Sequence, residues 1–255
     1  MKVYKDIAYN AYCTLDMYLP EQDNFATFVY FHGGGMVSGS KEDPRVLKLM
    51  ESMVKHGFGF VSVEYRKYTE DKQTSARFPE YLHDAADAVA YVKNNVKAYG
   101  GNDTLYVTGS SAGAWMTLLL CLDTTYLSKV GIQNEEIAGW VIDSAQTTSH
   151  FNVAKFEKGS DVRAERIDEF APLYYLNENS HFSKMLLLFY ERDMTCRLEQ
   201  NLLFHRSVLR WNPKADIAYQ KLPGGHCAGI HTEGETGELT YMQAVLDWLD
   251  GKEER

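Results

Sequence analysis

Short apolar runs alternate with stretches of helical spacing along most of the chain. The runs FATFVYF (25–31), FGFVSVEY (58–65), TLYVTG (104–109), IAGWVID (137–143), KMLLLFY (184–190) and ADIAYQKL (215–222) are dominated by aliphatic, β-branched and aromatic residues, the pattern of strands buried on both faces. Between them, PEYLHDAADAVAYVKNNV repeats Ala85, Ala88, Val89, Val92 and Val96 at intervals of three and four residues, with Pro79 near its start, which predicts a helix. The closing ETGELTYMQAVLDWLD sets Leu239, Met242, Val245, Leu246 and Leu249 on one helical face. Strand then helix, repeated, predicts an α/β fold: a doubly wound, mostly parallel sheet of about eight strands with helices on both faces. The opening VYKDIAY and CTLDMYLP predict an antiparallel pair leading in. Residues 144–183 are long, polar and mixed, and read as a small insertion over the site. No repeat or Pro/Ser-rich linker divides the 255 residues, so the chain, 1–255, reads as one domain.

Composition narrows the partners. Hydrophobic residues make up 45% and charged residues 24% of the chain, ordinary for a globular protein. The net charge of −9 and the lack of a basic stripe argue against nucleic acid, whose binding rests on clustered Lys and Arg. The N-terminal residues lack the apolar region of a secretory signal, and no run approaches a membrane span. Cys13, Cys121, Cys196 and Cys227 show no paired spacing, so four free thiols in a reducing, cytoplasmic setting are expected.

Two stretches carry chemistry. In TLYVTGSSAGAWM an apolar strand ends at Gly109, and Gly109-Ser110-Ser111-Ala112-Gly113 fits G-x-S-x-G ahead of an apolar helix. That context is the nucleophile elbow, whose small neighbours let strand and helix approach around a strained serine. A serine hydroxyl needs a base, itself oriented by an acid. In a doubly wound sheet both belong at the carboxyl ends of later strands. KMLLLFYERD supplies Asp193, with Glu191 and Asp143 as alternative acids, and GGHCAGIH supplies His226, with His231 as the alternative base. The order Ser111, Asp193, His226 is the one this architecture uses.

The other stretch is FVYFHGGGMVSGS (28–40), a strand that runs into three glycines. Acyl transfer passes through an oxyanion that backbone N–H groups must reach closely, and side chains obstruct that approach. Gly34 and Gly35, together with the amide of Ala112, are therefore expected to form the oxyanion hole. His32 reads as bracing this loop by hydrogen bonding.

HGGGMVSG (32–39), EYR (64–66) and GSSAG (109–113), with FPEYLHDAADAVAYV and YGGN between them, resemble the α/β-hydrolase esterases of the hormone-sensitive-lipase-like carboxylesterase group. The resemblance spans about residues 28 to 231 and implies Ser111, Asp193 and His226 as the catalytic residues. It departs at Ser110, where an acidic residue is frequent, and in lacking a long N-terminal cap segment, which makes this a small, cap-poor member. The expected activity is hydrolysis of short acyl, acetyl-type esters through an acyl-enzyme, with an acetylated carbohydrate or an aryl ester as substrate. Neither a metal nor an organic cofactor is required, and the sequence leaves homodimerisation open. Two other readings stand beside it. One is an arylformamidase of the kynurenine-formamidase type using the same triad; the other is a non-catalytic binding module on a hydrolase scaffold.

Overall fold

The computed structural model describes residues 1–71 and 75–252. Among them eight strands form one sheet: β1 (Lys2–Ala8), β2 (Thr14–Leu19), β3 (Phe25–Phe31), β4 (Gly59–Val63), β5 (Gly101–Ser110), β6 (Gly139–Asp143), β7 (Met185–Arg192) and β8 (Ile217–Gly225). The order across the sheet is β1-β2-β4-β3-β5-β6-β7-β8. β1 and β2 pair antiparallel, as do β2 and β4, and every other pairing is parallel. Every strand read from the sequence is present, with ends displaced by a few residues. The helices are α1 (Pro44–Lys55), α2 (Glu80–Asn95), α3 (Ala112–Leu122), α4 (Thr125–Lys129), α5 (Phe151–Lys158), α6 (Pro172–Tyr175), α7 (Arg197–Trp211) and α8 (Thr240–Leu249).

The strands alternate between two cores, as the pleat requires. Val29 and Phe31 of β3 join Val61, Val107, Ile142 and Leu187 in a core covered by α2, α3 and α7. Phe28 and Tyr30 point the other way and pack with Phe60, Val141 and Leu188 beneath α1 and α8. All eleven residues of α3 are buried, so this helix has no solvent face and lies in the middle of its layer. α1 starts at Asp43, whose side chain accepts a hydrogen bond from Arg45 N, with Pro44 in the first turn.

Strand order decides where a site can lie. From β3 the chain crosses through α1 to β4 on one side, and from β5 it crosses through α3 to β6 on the other. The two connections diverge, which leaves a crevice beyond the carboxyl ends of β3 and β5, the switch point where such sheets bind ligands. The glycine loop at 32–35 and the turn at Ser111 both emerge there. Residues 144–183 contain α5 and α6, and this segment is anchored at several points. Trp115 Nε1 donates to Phe170 O at 2.8 Å, Thr147 N donates to Gln200 Oε1 at 3.1 Å, and Asn152 Nδ2 donates to Gly35 O at 2.7 Å.

Candidate active site

Ser111 sits at φ 55° and ψ −114°, between β5 and α3. Such a backbone is strained for any residue but glycine and persists only where the surroundings enforce it. Two glycines make the enforcement visible. A Cβ on Gly113 would lie 2.0 Å from Phe31 O, and one on Gly109 would lie 2.5 Å from the Gly113 carbonyl carbon. Strand and helix thus meet at bare backbone, and the turn between them has no room to relax. Ser111 N donates to Asp143 O at 2.8 Å, which ties the turn to the end of β6.

The structure brings together the three residues read from the sequence. His226 Nε2 lies 2.8 Å from Ser111 Oγ, and His226 Nδ1 lies 2.6 Å from Asp193 Oδ1. Asp193 follows β7, and His226 follows β8. Burial alone would raise the Asp193 pKa, but hydrogen bonds from His226, Ser144 and Met194 N outweigh it and hold the carboxyl below its ordinary value. Asp193 is therefore an acceptor on both oxygens: Met194 N reaches Oδ1 at 2.7 Å, and Tyr190 N reaches Oδ2 at 3.3 Å.

The alternatives go elsewhere. Glu191 is exposed. Asp143 is fully buried and accepts hydrogen bonds from Ser110 Oγ at 2.5 Å and Tyr190 OH at 2.7 Å. His231 is exposed and its carbonyl accepts from Lys48 Nζ.

Gly33, Gly34 and Gly35 line the same cavity, of about 480 Å³, as Ser111 and His226. Gly34 has φ 126° and Gly35 φ 63°. Gly34 O accepts from Val37 N and Ser38 N, closing the loop on itself. Among the described residues the Gly34 and Gly35 N–H groups donate to no protein acceptor. Ala112 N, in the first turn of α3, has no partner within the helix either. His32 is buried, donates through Nδ1 to Gly33 O at 2.6 Å, and stacks on Tyr65, whose hydroxyl donates to His32 O at 2.7 Å. Its Nε2 lies 3.4 Å from Glu64 Oε1. Every one of these contacts holds the loop, as the bracing role requires.

Sequence reasoning missed Ser144. It is fully buried at φ 56°; its hydroxyl donates to Asp193 Oδ2 at 2.5 Å and lies 2.8 Å from His226 Nδ1. Its only sequence signal is its place one residue beyond the end of β6. Also unread was a buried chain beneath the elbow, in which Tyr30 OH donates to Ser110 Oγ at 2.9 Å and Ser110 donates on to Asp143. Burial pushes the Asp143 carboxyl up to about 6, with Ser110 and Tyr190 opposing it. Ser110 stands opposite Asp143 in the β5–β6 register, which sets an acid on the neighbouring strand beside position 110. Burial and the nearby Asp143 and Asp193 push the Cys227 thiol well up, so it stays protonated and unreactive. A larger groove, of about 600 Å³ between β8, α7 and α8, shares no residue with this cavity.

An eight-stranded, mostly parallel sheet with a strained serine at its switch point, and histidine and acid on later strand ends, defines the α/β-hydrolase fold. The sequence pattern of the BD-FAE family matches residues 15–166, more than half of the chain, and the chain belongs to that family. It is 24% identical over 234 residues to esterase LipQ of Mycobacterium tuberculosis (strain ATCC 25618 / H37Rv), a match covering 85% of this chain and 53% of LipQ. The chain thus spans about half the length of that curated relative. A truncated form of a carbohydrate esterase from gut microbiota superposes with TM-score 0.73 at 15% identity, over 99% of this chain and 96% of the other. Brefeldin A esterase, a bacterial homologue of human hormone-sensitive lipase, superposes with TM-score 0.70 at 16% identity, over 94% of this chain and 72% of the other. At such identities the structural likeness establishes the fold.

Proposed function

We propose that the protein is a serine carboxylic-ester hydrolase. Ser111 is the nucleophile, His226 its general base and Asp193 the acid that orients the imidazole. The observation that carries this reading is the unbroken line from Ser111 Oγ to His226 (2.8 Å) to Asp193 (2.6 Å) at the mouth of a cavity lined by the glycine loop. His226 takes the Ser111 proton as Oγ attacks the ester carbonyl. The oxyanion is held by the amides of Gly34, Gly35 and Ala112, and the alcohol leaves with the proton from His226. Water activated by the same imidazole then releases the acid. The intact line also weighs against a non-catalytic module. The names of the relatives, an esterase and a carbohydrate esterase, support ester hydrolysis, and short acyl esters such as acetylated sugars and aryl acetates are the substrates to try first. Residues 144–183 supply part of the cover of the pocket through Phe151.

The test is intact-mass analysis after treatment with a small fluorophosphonate, alongside turnover of an aryl acetate. A single adduct on the wild type, absent from Ser111→Ala, is expected, with activity falling by about 10⁴-fold or more in the variant. A folded wild type that neither labels nor hydrolyses refutes the reading.

A further inference from the structure

Beyond Phe151 and Met194, which also line the Ser111 cavity, lies a second cavity of about 260 Å³. Arg197 lines it and is only 4% exposed. Its guanidinium carries five N–H donors, yet among the described residues a single oxygen uses them: Nη1 donates to Ser144 O at 2.6 Å. Nη2 faces the Met194 sulfur at 3.7 Å, and Nε has no partner among the described residues. Asp193 and Glu165 act on this charge only through space. Asp193 is not free to turn toward it, because His226, Ser144, Tyr190 N and Met194 N already occupy both of its oxygens.

A guanidinium buried without a carboxylate partner is costly to a fold, and such a charge is ordinarily paired. Two neighbours strengthen the case for a ligand. Arg163 also lines the cavity, and its guanidinium lies over the Phe151 ring at 4.4 Å. Gln146, on the same wall, donates through Nε2 to Ser149 O, so its buried Oε1, which has no partner among the described residues, offers an acceptor to a donor group of the same ligand and not to its carboxylate. The opposing charge is Glu165 on the rim, which accepts from Thr148 Oγ1 at 2.5 Å.

We propose that this cavity receives a free carboxylate borne by the substrate, so that the enzyme prefers esters carrying a second, ionised acid group. The guanidinium fork matches a carboxylate in plane and spacing. Glu165, a negative charge on the same cavity, disfavours a dianion such as a phosphate monoester more than a single carboxylate. The inference rests on the ester-hydrolase reading and specifies which esters are taken.

Two substrate pairs test it, one for each side of the ester. On the acyl side, 4-nitrophenyl monoesters of diacids from succinate to suberate are compared with neutral acyl esters of the same length. On the alcohol side, O-acetyl hydroxy acids are compared with their methyl esters. In at least one pair the carboxylated member is expected to have the higher kcat/KM by about ten- to a hundredfold, the worth of a charged hydrogen bond. Arg163→Gln, at an exposed position, and Arg197→Gln are both expected to shrink that ratio. The ratio is read rather than the rate because Arg197 also holds Ser144. Equal rates in both pairs, a ratio untouched by either variant, or a stronger preference for a phosphate-bearing ester overturns the proposal. Calorimetric binding of monomethyl adipate to Ser111→Ala, lost in the double variant with Arg163→Gln, separates failure of this subsite from failure of the hydrolase reading. No binding by a folded protein refutes the subsite even if hydrolysis is found.

Discussion

At Ser144 one hydroxyl serves two neighbours, and the backbone beneath it is held in the left-handed region at φ 56°. Its proton goes to Asp193 Oδ2, and without it that oxygen keeps only Tyr190 N at 3.3 Å. Ser144→Ala is expected to lower kcat about ten- to a hundredfold, the worth of a hydrogen bond to a charged group, while KM changes little. Ser144→Gly loses the same hydroxyl but removes the strain, so its melting temperature should lie above that of Ser144→Ala by the equivalent of about 1 kcal/mol. Steady-state kinetics and thermal melts of the pair separate positioning from packing; an alanine variant with wild-type kcat would end the argument. Asp143 gives a pH signature. Its carboxyl is raised from 3.8 to about 6, so between those values the folded state holds a proton that the unfolded state has released. Stability therefore falls as pH rises through that window and stays lower above it. Asp143→Asn should gain on wild type between pH 4 and 7, by on the order of 3 kcal/mol for two pKa units, in denaturant titrations. Ser111, Asp193 and His226 were legible because motif and chain order encode them. Ser144 and the pairing of Ser110 with Asp143 were not, since they arise from the register between two strands that no local pattern specifies.

Among the elements, the elbow is the least tolerant of change. The added methyl of Gly113→Ala meets the backbone of β3, whereas at Gly35 it meets only the end of the Asn152 side chain, at 3.0 Å. Gly113→Ala is expected to cost several kcal/mol or prevent folding, as overpacking against fixed backbone does. Gly35→Ala should lose about 1 kcal/mol through its positive φ. Urea melts of the two variants check the contrast, and equal tolerance would mean that α3 can slide on β3. The strands were readable because burial on both faces leaves long apolar runs. α7 was harder for a physical reason. Its buried positions, Arg197, Gln200, Asn201, Phe204, His205 and Val208, follow helical spacing, but four of the six are polar. Three of them hold the start of the 144–183 segment: Arg197 through Ser144 O, Asn201 through Ala145 O, and Gln200 through Thr147 and Thr148. Hydrophobic periodicity does not register a helix that meets its neighbour through hydrogen bonds.

Across the whole molecule, two carboxylates tie distant parts of the chain. Glu64 bonds Lys41 N, pairs with Lys67 and faces His32, and burial notwithstanding, these partners lower its pKa from 4.5 to about 2. Glu238 is likewise lowered from 4.5 to about 2, against its burial, by Ser52 and His56 at the end of α1 and by Leu239 N. A depressed carboxylate contributes stability that is complete above its unfolded pKa and disappears as pH falls through the folded one. Both contributions should thus be present at neutral pH and be lost between pH 4.5 and 2. Glu64→Gln and Glu238→Gln are expected to flatten the acid limb of the stability curve, measured by circular dichroism against pH. Parallel wild-type and variant curves would show the pairs to be inert. The doubly wound layout was legible from the alternation of runs, and with it the crevice at the switch point. The place of residues 144–183 beside that crevice was not, because they are held through hydrogen bonds to side chains that lie far along the sequence.

The contact of Gly113 with the carbonyl of Phe31 also divides the chain into what can drift and what cannot. The glycine loop, Ser111 and Ser144, fixed to the ends of β3, β5 and β6, leave little freedom for selection to act on their spacing. By contrast, Phe151, Arg163 and Gln146 stand on a segment held by hydrogen bonds and by a few buried side chains such as Val153 and Phe170. New selectivity in descendants of this sequence, whether natural or recovered from a mutant library, should accumulate between β6 and β7 and leave the elbow untouched.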